Sequence, residues 1–171
     1  NFGTGMGAAF VVTGNGLTAG AYVNEIESSR ITLQKTASTS TAYANYAIGS
    51  VTLGLQMANT DRGVIGAAEA ATTAKTVAAA TGEFETQKMS IAFAVNDDLS
   101  ISYGRLTETY DAQDNAATAI ADVEMESDSY QVAYSMGAMS ISAYHTSTDN
   151  PGWDSDATSQ DINEIALNFA F

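Results

Sequence analysis

The side chains able to do chemistry are few, and their spacing is that of strands. The sequence holds one histidine, no cysteine, six Lys and Arg and twenty Asp and Glu. Without cysteine there is no thiolate nucleophile, disulfide framework or zinc-thiolate site. His145 shares parity with Ile141 and Ala143, which places it on the apolar side of an alternating run. That is a position for an interfacial residue rather than a general base. The opening "FGTGMGAAF" has a Gly-x-Gly-x-Gly spacing, but Val11 and Val12 follow it. A phosphate-binding loop needs a strand before it and a helix after it, and β-branched residues predict another strand.

Lys88, Arg105 and Glu164 are charges inside alternating runs. Parity puts Lys88 and Glu164 on the polar side with Tyr43, Asn45, Gln131 and Tyr144. Strict alternation from Leu99, Ile101 and Tyr103 puts Arg105 on the apolar side. A β-bulge at Gly104 would return it to the side of Lys88, and that arrangement is expected because an arginine at the middle of a lipid-facing wall costs about 2–4 kcal/mol. Glu124, Glu126 and Asp128 share parity with Tyr130, Val132 and Tyr134 and form an acidic ladder. The segment "DNPGWDSD" offers Asp149, Asp154 and Asp156 as calcium ligands, without the glycine and glutamate spacing of an EF-hand loop.

The elements that must position these residues repeat a simple unit of two alternating runs joined by a tight turn, followed by a longer polar stretch. The turns are "TGNGLT", "AIGSVT", "VNDDLS" and "SMGAMS", each supplying residues that tolerate positive φ or that cap a turn with a side chain. Around them Val51, Leu53, Leu55 and Met57 oppose Thr52, Gly54, Gln56 and Ala58, and Met89, Ile91 and Phe93 oppose Lys88, Ser90 and Ala92. The polar side is small and neutral throughout. Counting gives about nine strands, near residues 7–13, 17–25, 40–48, 51–59, 84–95, 99–109, 123–135, 138–146 and 160–171. Longer acidic connections fall near 25–40, 60–83, 110–122 and 146–159, and the run 67–81 has the composition of a short helix. Short turns on one side and long loops on the other predict an all-β antiparallel meander.

A net charge of -14 argues against a nucleic-acid partner, since phosphate contacts need Lys and Arg. Eight tyrosines, six phenylalanines and many aliphatic residues argue for order despite the charge imbalance. The uncharged stretches 1–24 and 36–60 are too rich in Gly, Thr, Ser and Asn to span a membrane as helices, so any membrane contact is expected through strands. The start at Asn1 suggests a processed or truncated product.

The last run, "INEIALNFAF", places Ile165, Leu167, Phe169 and Phe171 on one side. With the short turns, long loops and small polar faces, it resembles the general diffusion porins of Gram-negative outer membranes. The resemblance implies that residues 1–171 are one segment of a sixteen-stranded up-and-down transmembrane β-barrel, its C-terminal half. Bacterial single-chain barrels have even strand numbers, so a count of nine fits part of a larger barrel.

The resemblance further implies a homotrimer in the outer membrane that passes ions and small polar solutes, and a terminal aromatic, Phe171, read by the barrel-assembly machinery. Lys88, Arg105, Glu164, Gln131, Tyr43, Asn45 and Tyr144 would then line the pore, with a preference for cations. Glu124, Glu126 and Asp128 would face lipopolysaccharide through bridging divalent cations. At about 2.5 Å of rise per residue, Asp128 stands only about 15 Å above Tyr134, inside a 25 Å apolar band, so that placement requires a bulge or a locally shorter wall. The porin inward loop and most of the basic wall facing it would lie outside this sequence. Two rivals remain: a smaller complete barrel serving as anchor or adhesion protein, which must pair its first strand with its last near Phe10 and Leu167, and a secreted acidic β-sandwich with a dry core.

Overall fold

The computed structural model describes residues 5–27, 36–61, 83–111 and 121–170. Nine strands follow in chain order: β1 (Gly5–Gly14), β2 (Leu17–Ile26), β3 (Ala37–Ile48), β4 (Val51–Asp61), β5 (Glu83–Ala94), β6 (Leu99–Asp111), β7 (Val123–Met136), β8 (Met139–Asp149) and β9 (Gln160–Phe169). They form one antiparallel sheet in sequential order, an up-and-down meander with no helix among the described residues. The two-sheet packing of a sandwich is absent there, since all nine strands belong to one sheet. Among the described residues β1 pairs with β2 alone and β9 with β8 alone, so the pairing of Phe10 with Leu167 expected of a self-closing barrel is not made. The expected helix at 67–81 and the terminal Phe171 lie outside the described residues.

Local chemistry explains the tight turns. Asn15 and Gly16 both have positive φ (49° and 80°), the geometry of a two-residue turn whose twist matches its strands. Gly16 also has a packing reason, because a Cβ there would meet the Ala47 carbonyl oxygen at 2.3 Å. Gly49 and Gly137 take positive φ at the first central position of their turns. In "VNDDLS" the Asn96 side chain instead accepts the backbone N–H groups of Asp98 and Leu99, both at 2.9 Å. Each turn is also bonded to the next strand along: Ala47 donates to Gly16, Ala94 to Ser50, Ser135 to Asp98 and Ala170 to Ala138, at 2.8–2.9 Å.

Register keeps like with like, because paired residues in an antiparallel sheet share a face. One face carries Phe10 opposite Ala21, Leu55 opposite both Ala44 and Met89, Ile101 opposite Phe93 and Val132, and Ile141 opposite Leu167. We call it the apolar face. Within the strands, the large hydrophobic side chains left exposed belong to it, with Val11, Tyr22, Ile26 and Ile162 as the exceptions. The opposite, small-residue face presents Ser, Thr, Ala, Gly, Asn and Gln.

Strands run further into the acidic stretches than hydrophobic alternation indicates: β3 starts at Ala37, β6 ends at Asp111 and β8 ends at Asp149. Polar cross-strand pairs carry the ladder there. Asn59 donates to Glu83 at 2.6 Å and Thr86 to Glu108 at 2.7 Å, while Ser127 meets Thr148 at 3.0 Å and Ser129 meets Thr146 at 2.7 Å.

Candidate functional site

On the small-residue face the register gathers the polar residues singled out by parity. Tyr43 and Asn45 of β3, Gln56 of β4, Lys88 of β5, and Ser127 and Ser129 of β7 border a depression of about 420 Å³. The floor is open because Gly54, Ser90 and Gly104 bring almost no side chain to it. Lys88 sits between Gln56 and Leu106 in the ladder and has no ion-pair partner among the described residues. The Tyr43 ring packs over Gly20, where a Cβ would come within 2.8 Å of it. Toward β9 the same face carries Gln131 beside Tyr144, and the Tyr144 hydroxyl donates to Glu164 at 2.9 Å. Lys88, Glu164, Gln131, Tyr43, Asn45 and Tyr144 thus occupy one face, on five strands between β3 and β9.

Arg105 does not join them. The pairing of β5 with β6 runs without interruption through Ser90 opposite Gly104 and Met89 opposite Arg105, so the expected bulge is absent and Arg105 stays on the apolar face. Its charge is met there instead. Arg105 Nη2 donates to Glu126 Oε1 and lies 3.7 Å from Asp128 Oδ2, while the Tyr103 hydroxyl donates to Asp128 at 2.5 Å. Tyr103 in turn stacks against Tyr130, with centroids 5.0 Å apart. A paired arginine has no electrostatic reason to turn to the other face.

The same pairing changes the reading of the acidic ladder. Glu124, Glu126 and Asp128 share the apolar face with Tyr130 as expected, and Glu126 and Asp128 are engaged by Arg105. No bulge interrupts β7, and the apolar series is short on its neighbour. On β6 the apolar series Leu99, Ile101, Tyr103 gives way to Arg105, whereas on β4 it continues through Val51, Leu53, Leu55 and Met57. His145 lies at the same boundary, opposite Tyr130 and hydrogen-bonded to Asn163 at 2.9 Å.

Asp149, Asp154 and Asp156 do not converge on a calcium site, since no group of three or more metal-ligating side chains forms among the described residues. Asp149 accepts the Ser159 hydroxyl, and Asp154 accepts the backbone N–H of Asp156 at 3.3 Å. Of the terminal set, Ile165, Leu167 and Phe169 stand exposed on the apolar face, and Phe171 lies outside the described residues.

Sequence reasoning missed an aromatic cluster at the loop end of the small-residue face. Phe84 of β5 and Tyr110 of β6 are paired neighbours with centroids 5.0 Å apart, and Trp153 packs on them from the β8–β9 connection. The available signal was parity: Phe84 shares the parity of Lys88, and Tyr110 that of Gly104, against the polar trend of that face. No protein-family model, curated protein or solved structure matches this chain.

Proposed function

We propose that this chain is part of the wall of a water-filled outer-membrane channel, a porin-type β-barrel for passive diffusion of ions and small polar solutes. The observation that carries the reading is the contrast between faces of one continuous sheet. One face holds exposed Phe10 (63%), Leu55 (49%) and Ile165 (74%) among many large apolar side chains, left uncovered by the other described residues. Water does not favour an apolar surface of that extent, whereas the hydrocarbon of a bilayer does. The opposite face is small, hydroxyl-rich and sparsely charged, as a pore needs if solutes are to pass without binding tightly.

The edges of β1 and β9, unpaired among the described residues, support a larger barrel, because strand edges in hydrocarbon must find partners. The excess of carboxylates supports a preference for cations. Outer-membrane lipid and lipopolysaccharide, the barrel-assembly machinery and a homotrimeric partner set belong to the same reading. It is tested by reconstitution in planar bilayers, alongside gel migration before and after boiling. Stepwise ion-conducting insertions and heat-dependent migration are expected. A protein that stays soluble without detergent, binds no vesicles and conducts no ions would refute it.

A further inference from the structure

Two large hydrophobic side chains are buried among the described residues, Phe84 (6% exposed) and Tyr110 (0%), and both lie on the face that should be open to water. Trp153, the sole tryptophan of the sequence, packs against both, its ring 5.0 Å from Phe84 and 6.3 Å from Tyr110, centroid to centroid. Trp153 belongs to residues 150–159, which join β8 to β9, and β8 is three places from β5 in the sheet. At about 4.8 Å per strand that is a reach of about 14 Å. The connection therefore folds inward across the small-residue face, over β7 and β6, instead of rising from the rim.

Its backbone is held in that shape. Asn150, Gly152 and Trp153 all have positive φ (49°, 71° and 57°), which is unfavourable for Trp and persists only where surroundings impose it. The Trp153 N–H donates to Asn150 O at 2.9 Å and the Asn150 side chain donates to Glu124 O at 2.8 Å. Ser159 bonds to Asp149 across the base of the loop. The segment carries Asp154 and Asp156 and no Lys or Arg.

We infer that residues 150–159 form a fixed, acidic roof over part of the pore mouth, pinned by Trp153 on Phe84 and Tyr110, which narrows the opening and favours cations and neutral solutes over anions. The inference rests on the channel reading above, and Trp153 acts as a positioning residue. The Trp153→Ala protein should show higher single-channel conductance and faster proteoliposome swelling with larger neutral sugars. Trp153→Phe should restore wild-type behaviour. Asp154→Asn with Asp156→Asn leaves the aromatic contacts intact and should lower the cation-to-anion permeability ratio about twofold at 0.1 M salt, where charges act over about 10 Å, with sugar swelling unchanged.

Wild-type conductance, swelling and permeability ratio in both the Trp153→Ala and the double-asparagine proteins would overturn the roof. A wild-type protein that never conducts would refute the channel instead. The pin can be read apart from conduction through Trp153 fluorescence in detergent: blue-shifted emission shielded from acrylamide, moving to the red in Phe84→Ala, supports it. Emission typical of exposed indole in the wild type overturns it.

Discussion

Leu55 and Gln56 are neighbours on β4 that point to opposite faces, and an arginine at each in turn reads the solvent of each face. Leu55 is 49% exposed, flanked in the ladder by Ala44 and Met89. On a lipid-facing wall near mid-height, arginine costs about 2–4 kcal/mol, a fall of roughly thirtyfold to nearly a thousandfold in the folding constant at 1.4 kcal/mol per tenfold. On a surface facing water the same change would stay within about 0.5 kcal/mol. Gln56→Arg, bordering the open depression beside Lys88, should cost less than about 1 kcal/mol because its long side chain can reach water. The assay is urea-dependent equilibrium folding into lipid vesicles, followed by Trp153 emission and heat-dependent gel migration. Equal costs for the two variants, or a Leu55→Arg cost near zero, would refute the assignment of faces.

Three further outcomes are expected. Arg105→Met should leave Glu126 and Asp128 as unneutralised neighbours and destabilise the protein by about 1–3 kcal/mol; adding Glu126→Gln and Asp128→Asn should recover most of the loss in the same urea titration. Lys88→Glu reverses a charge that has no ion-pair partner among the described residues of the small-residue face and should shift the zero-current potential in a salt gradient further toward the cation limit, with folding stability unchanged. Gly16→Ala combines a φ of 80° with a contact 2.3 Å from the Ala47 oxygen. It should cost about 1–3 kcal/mol, measured as a lower urea midpoint at constant slope.

Much of the fold was legible because a strand's two faces differ by a period that sequence displays directly. The nine strands, their order and the four tight turns follow from runs such as Val51, Leu53, Leu55 and Met57 and from pairs such as Asn15 and Gly16. The shared face of Lys88, Gln131, Tyr144 and Glu164 follows from the same parity, since register carries a face unchanged from strand to strand. Strand ends were less visible: the last residues of β6 and β8 are held by hydroxyl and carboxylate pairs across the ladder, and these have no hydrophobic period.

Arg105 and Trp153 mark the boundary between sequence and tertiary structure. Parity alone put Arg105 on the apolar face, and the cost of an isolated charge there argued for moving it. That cost depends on neighbours, and Glu126 and Asp128 become neighbours of Arg105 only when β6 pairs with β7 in this register. Trp153 and Phe84 are separated by the whole of β6, β7 and β8 in the chain. Their contact exists because the sheet's order and the left-handed turn at Asn150 to Trp153 bring a loop back over β5. Sequence by itself determined the alternation, the turns and the two faces, which are local properties of backbone and side-chain period; pairing of charges and the inward fold of the last connection are distances across strands, which only the assembled sheet decides.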